Sequence, residues 1–155
     1  MYHIIFVCTG NICRSAMAEG ILKSRWAACG REGINVSSTG IHGLDNQPAS
    51  TTALKISKEH GVDISQHRSR PLNFEHLNGA DLILCMEKMH KDFILLFLPH
   101  LADKVFLAGA WPDKETSKSN IKDPMGGVEK DFRQAYDTIA RHIDRMLPFL
   151  LAKFS

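Results

Sequence analysis

Little in this sequence points to a disulfide scaffold, a metal centre, a membrane span or a nucleic-acid surface. Its four cysteines, Cys8, Cys13, Cys29 and Cys85, follow neither a paired zinc-ligand spacing nor a disulfide-framework spacing, which leaves them as thiols of a reducing compartment. The eight histidines are dispersed without a helical His-Glu-x-x-His pair, so no metal or other cofactor is expected. With 19 basic against 17 acidic residues the formal charge is only +2, short of the basic excess that wrapping nucleic acid requires. No apolar run approaches the roughly 20 residues of a membrane span, and the opening Met1 to Val7 stretch lacks the basic start and cleavage site of a secretory signal. These absences lead us to expect a soluble, cytoplasmic protein without a nucleic-acid or membrane partner.

What is present is enough for one compact unit. A chain of 155 residues with 44% hydrophobic content can build one sizeable core, so a single domain over residues 1–155 is expected. Four short, β-branched apolar runs, His3 to Cys8, Ile34 to Thr39, Asp81 to Met86 and Lys104 to Ala108, read as strands. They are nearly continuous rather than alternating, the pattern of strands covered on both faces of a parallel sheet. Between them lie helical stretches. Met17, Ile21 and Ala28 share one stripe of a helix from about Ser15 to Ala28, and Pro48 to His60 and Glu87 to Leu98 read as two more. A shorter helix is expected after Pro71. The clearest periodicity joins Phe132, Tyr136, Ile139, Ile143, Met146 and Leu150 on one face, and Pro148 is expected to kink or end that helix. Strands alternating with helices predict an open three-layer α/β fold, a four-stranded parallel sheet flanked by helices, with ligands bound beyond the carboxyl ends of the strands. Cys8 stands at such an end.

After that first strand, Thr9-Gly10-Asn11-Ile12-Cys13 is a tight turn whose Gly and Asn tolerate the conformations that aim successive amides inward. A helix N-terminus at Arg14 adds its dipole and free donors, and the Arg14 fork matches phosphate oxygens. Thr9 to Arg14 therefore form a candidate cradle for phosphate or another tetrahedral oxyanion. The same field favours thiolate over thiol at Cys8, and Ser15 is placed to donate to its sulfur. Such a thiolate could attack phosphorus in line, form a phosphocysteine and be released by water.

The string Val7-Cys8-Thr9-Gly10-Asn11-Ile12-Cys13-Arg14-Ser15 resembles the signature loop of the low-molecular-weight protein-tyrosine phosphatases, in a bacterial form, and the resemblance runs over nearly the whole chain. It implies Cys8 as nucleophile and an acidic Asp in a late Asp-Pro pair, which Asp123-Pro124 supplies. Phenolate departure needs a proton, and a carboxyl group on a separate loop can give it and then activate water. The resemblance also implies that Asn11, Ser38 and His67 support the loop, with Glu87 a further candidate. Cys13, five residues from Cys8, is close enough to form a reversible protective disulfide with it on oxidation, the alternative role being simple core packing.

In two places the chain departs from the family pattern. Met125-Gly126 stand where many eukaryotic members carry two tyrosines, so the pocket wall is expected elsewhere, at Ile41, His42 or Trp111, and Ala16 stands where Pro is more usual. The expected substrate is a phosphotyrosine protein, and a monomer is expected. One alternative is a protein-arginine phosphatase, a branch with a similar Asp-Pro-x-Gly-Gly stretch but Thr in place of Ile12, whose bulk here favours an aromatic ester. The other is a thioredoxin-coupled arsenate reductase. That relay needs a cysteine pair, and although Cys85 matches its first thiol, Asp92 stands where the second belongs.

Overall fold

The computed structural model describes residues 1–154. Its sheet is formed by β1 (Tyr2–Cys8), β2 (Ile34–Gly40), β3 (Leu82–Cys85) and β4 (Val105–Leu107), in the order β2-β1-β3-β4 with every neighbouring pair parallel. Five helices surround it: α1 (Arg14–Ala28), α2 (Thr51–Glu59), α3 (Phe74–Asn78), α4 (Lys88–Phe97) and α5 (Glu129–Lys153). The four-stranded α/β architecture is thus the expected one. Strand order reverses direction at β1, which places the topological switch point at the carboxyl end carrying Cys8.

The alternation of β1 divides the core in two. Ile4, Phe6 and Cys8 face one way, toward Met17, Ile21 and Leu22 of α1 and Phe132, Tyr136, Ile139, Ile143 and Met146 of α5. Ile5 and Val7 face the other, where Ile83, Cys85 and Val105 meet Leu77 of α3 and Ile94 of α4. Burial on both faces explains why the strands read as continuous apolar runs. Register carries the site: Cys8 pairs with Gly40 and Val7 with Cys85, so three strand ends finish at one level.

Helix boundaries follow local chemistry. Ser50 caps α2 by accepting the Ala53 amide at 3.2 Å, and Asn73 caps α3 through the His76 amide at 3.0 Å. At the start of α4 the His90 ring accepts the Glu87 amide at 3.0 Å, and the Glu87 carbonyl accepts the His90 amide at 3.0 Å.

Of the two outcomes expected at Pro148, a kink or a stop, the stop does not occur; α5 continues to Lys153. Proline removes the bond to the carbonyl four residues earlier, at Asp144. Both residues lie on the exposed side, where water can take that carbonyl, while Ile143, Met146 and Leu150 remain buried along the core face. Strand ends also shift by a residue. Asp81, expected in β3, instead accepts the His3 amide on its carboxylate at 2.7 Å. Among the described residues no helix is long and apolar enough to cross a membrane.

Candidate active site at the end of the first strand

The turn from β1 into α1 is shaped by what its carbonyls do. The Cys8, Thr9 and Gly10 carbonyls accept the amides of Ile41, His42 and Leu44 at 3.0, 3.0 and 3.3 Å, and the Ile12 carbonyl accepts the Ser50 amide at 2.8 Å. The Asn11 carbonyl takes Nε2–H of His67 at 2.6 Å. With these five carbonyls bonded outward, the intervening amides turn inward. None of the amides of Gly10, Asn11, Ile12 or Cys13 donates to a protein acceptor among the described residues. Successive inward N–H groups at a helix N-terminus form an anion cradle, with Cys8, 3% exposed, at its base.

Such a turn requires a left-handed residue, and Asn11 supplies it at φ 59. Its buried side chain is bonded at both ends. Nδ2 donates to Ser15 Oγ at 2.8 Å and to Ser38 Oγ at 2.9 Å, while Oδ1 accepts the Arg70 amide at 3.0 Å. Ser15 Oγ lies 2.9 Å from Cys8 Sγ. Because that oxygen already accepts from Asn11, its own hydrogen is free to point at the sulfur. Ser38 passes its hydrogen on to Glu19 Oε1 at 2.6 Å. Close approach of the β2 end is also needed: a Cβ on Gly40 would collide with the Thr9 carbonyl oxygen.

Arg14, fully buried, is held by three oxygens. Nη1 donates to the Ile121 carbonyl at 2.7 Å and lies 3.2 Å from Glu87 Oε2, and Nη2 is 3.5 Å from Asp123 Oδ2. Two carboxylates offset the cost of burying the guanidinium. Asp123 has a 42% exposed side chain and its Oδ1 accepts the Met125 amide at 3.0 Å. It therefore stands at the mouth of the cradle, on a loop separate from the one that carries Cys8.

The structure brings together Cys8, Thr9, Gly10, Asn11, Ile12, Cys13, Arg14, Ser15, Ser38, His67 and Asp123, with Glu87 on Arg14. Of the residues suggested for the pocket wall, Ile41 is buried in the core beneath the sheet with Ile5 and Val7, and His42 is exposed, edge-on to Phe93 at 6.1 Å. Trp111 packs on the main core. Burial, the neighbouring Cys8 and Asp123 push the Cys13 thiol up, and burial does the same to Cys85. Cys85 is fully buried and Asp92 pairs with Lys88 at 2.8 Å, an arrangement without the accessible thiol pair of an arsenate relay. A cavity of about 420 Å³ behind the Asp123 loop is lined by Ile121, Asp123, Met125, Gln134 and Thr138; it adjoins the cradle without including it.

Sequence reasoning missed Glu19 and His90. Glu19 follows Ser15 by one helical turn, and His90 follows Glu87 at the capping-box spacing. Both spacings are visible in the chain, but each is common on any helix.

The sequence profile of the low molecular weight phosphotyrosine protein phosphatases matches residues 3–154. Over 138 residues the chain is 36% identical to the low molecular weight protein-tyrosine-phosphatase Etp of Escherichia coli K12, covering 89% of this chain and 87% of that one. It is equally similar, 36% over 145 residues, to a protein-arginine-phosphatase of Geobacillus stearothermophilus, covering 94% and 93%. Among solved structures, the low molecular weight protein tyrosine phosphatase from T. tengcongensis superposes with a TM-score of 0.87 at 35% identity, covering 96% of this chain and 99% of that one.

Proposed function

We propose that this chain, which belongs to the low molecular weight protein-tyrosine phosphatase family, hydrolyses protein phosphotyrosine through a phosphocysteine on Cys8. The observation that carries the reading is the cradle itself, five outward-bonded carbonyls around a buried cysteine whose sulfur meets the Ser15 hydroxyl.

In the first step the Cys8 thiolate attacks phosphorus as the phosphorus–phenolic oxygen bond breaks. The inward amides and Arg14 take up the charge spread over the equatorial oxygens. Asp123, as the acid, gives its proton to the departing phenolate. In the second step the Asp123 carboxylate takes a proton from water, the new oxygen bonds to phosphorus, and the phosphorus–sulfur bond breaks to release phosphate. The Ser15 hydroxyl, its hydrogen directed by Asn11, stabilises sulfur as the leaving group. Asn11, Ser38 and His67 hold the loop in the shape this requires.

Phosphoarginine is the second substrate to weigh, because the chain is as similar to an arginine phosphatase as to a tyrosine phosphatase, and its Asp123-Pro124-Met125-Gly126-Gly127 stretch resembles the Asp-Pro-x-Gly-Gly pattern of that branch. Ile12 favours the aromatic ester: its half-buried apolar side chain offers no hydrogen bond to a guanidinium group. Side-by-side hydrolysis of phosphotyrosine, phosphoarginine and phosphoserine peptides tests the choice. Phosphotyrosine is expected to be preferred, and a strong preference for phosphoarginine overturns the substrate assignment. Cys8→Ser is expected to abolish turnover of p-nitrophenyl phosphate while the fold is retained. An unchanged rate in that variant refutes the mechanism.

A further inference from the structure

His90 lies in the first turn of α4 with no exposed surface, outside the residues to which the mechanism gives a task. Its two ring nitrogens have different partners. Nδ1 accepts the backbone N–H of Glu87 at 3.0 Å, and Nε2 lies 2.9 Å from Thr9 Oγ1. A ring that accepts at Nδ1 is neutral and carries its proton on Nε2, so the imidazole donates to the Thr9 hydroxyl oxygen. Through these two bonds one side chain ties the turn that carries Glu87, the carboxylate against Arg14, to the residue that follows Cys8.

The surroundings keep the ring in that state. Charged groups face it from three elements: Arg14 of α1, Glu87 at the start of α4, with Oε2 3.8 Å from Nε2, and Asp123 from the loop before α5. Burial first, and then the Arg14 charge, lower its pKa to about 4, with Asp123 opposing. A second proton would sit on Nδ1, against the Glu87 amide. The ring is therefore a fixed donor, with no proton to exchange under ordinary conditions.

We propose that His90 is a positioning residue for the phosphate cradle, its Nε2–H clamping the Thr9 hydroxyl so that the loop and the Glu87–Arg14 pair keep one spacing. The proposal rests on the phosphatase reading of the site. Misplacing such a loop by about an ångström can cost on the order of a hundredfold in rate, and loss of one clamp among many bonds should cost less.

Two conservative variants separate the bonds. In His90→Asn the amide oxygen falls near Nδ1 and can keep the Glu87 cap, but the side chain cannot reach Thr9. In His90→Gln the amide nitrogen falls near Nε2 and can donate to Thr9, at the expense of the cap. The expected result is that His90→Asn lowers kcat on p-nitrophenyl phosphate by about tenfold, near 1.4 kcal/mol, and weakens calorimetric binding of inorganic phosphate severalfold. His90→Gln should stay within about twofold of wild type in both while melting lower, since only the cap is lost. Thr9→Val should reproduce the His90→Asn loss, and the double variant should add nothing to it. Wild-type kcat and phosphate affinity in His90→Asn overturn the clamp and leave the phosphatase reading intact, as do equal losses in Asn and Gln that follow melting temperature. Failure of the wild-type protein to bind phosphate overturns the site reading and the clamp with it.

Discussion

Replacing Asn11 by alanine removes the residue on which most of the cradle turns. Three hydrogen bonds vanish, to Ser15 and Ser38 from Nδ2 and from the Arg70 amide to Oδ1. At about 1 kcal/mol net each they amount to about 3 kcal/mol. Alanine must also adopt φ 59, where its Cβ costs about 1–2 kcal/mol. If the loop keeps its shape, Asn11→Ala therefore destabilises the fold by about 4–5 kcal/mol, which for a chain of this size lowers the melting temperature by about 8–20 °C. Asn11→Gly loses the same bonds without the steric cost, although its freer unfolded chain gives back about 0.5–1 kcal/mol. The glycine variant should therefore melt about 2–4 °C above the alanine variant, on a net difference of roughly 1 kcal/mol. Calorimetric melting of the three proteins gives both differences. In both variants the Ser15 hydrogen is no longer directed, and kcat on p-nitrophenyl phosphate should fall at least about tenfold. Wild-type melting in Asn11→Ala, or full kcat in either variant, would refute the assignment of Asn11 as the keystone of the loop.

Further predictions concern the rest of the site. Asp123→Asn should lower kcat on phosphotyrosine by on the order of a hundredfold or more while phosphate still binds, as expected for loss of a general acid; a loss below threefold would point to another acid. Gly40→Ala should cost about 1–3 kcal/mol and lower activity as well, because its Cβ would push on the Thr9 carbonyl; urea titration together with kcat tests this, and neutrality would contradict the close approach. His90 has a folded pKa depressed to about 4 from 6.5, so the unfolded chain binds its proton first as pH falls. The stability this neutral histidine contributes is complete above about pH 6.5 and is lost down to about pH 4, by up to about 3 kcal/mol. His76 and His142, also lowered mainly by burial, act in the same direction. Urea midpoints across that range should fall with pH less steeply in His90→Asn than in the wild type; equal slopes would exclude His90 as a source. Peroxide should inactivate the enzyme reversibly through Cys8 and Cys13, both free thiols here, and failure of dithiothreitol to restore activity would count against a protective disulfide.

The parts of the site that lie within one stretch of chain are legible in the amino-acid order alone. Cys8, Asn11, Arg14 and Ser15 fall within eight residues, and strand, turn and helix N-terminus follow one another there, so local backbone geometry already aims them at a common point. The four strands are legible because burial on both faces leaves an unbroken apolar signature. Their exact ends are not, since the carboxylate of Asp81 takes the His3 amide between the two inner strands, a partner no local pattern marks. At Pro148 local chemistry allows a kink or a stop, and the packed face of α5 carries the helix through, so the stop does not occur.

Glu19 and His90 show where chain-local reading ends. Glu19 matters because α1 packs beside β2, bringing its carboxylate to Ser38, which in turn holds Asn11. His90 matters because β3 lies next to β1, so that the turn after β3 reaches Thr9 across 81 positions of sequence. A glutamate or histidine on a helix carries no mark of such a partner, because the partner is chosen by strand order and helix packing. The sequence by itself determined the layered fold and picked out the candidate nucleophile and candidate anion loop, through hydrophobic pattern and short-range backbone preference. Only the tertiary structure decided which distant side chains hold that loop in shape, since a hydrogen bond forms only where packing brings donor and acceptor within about 3 Å.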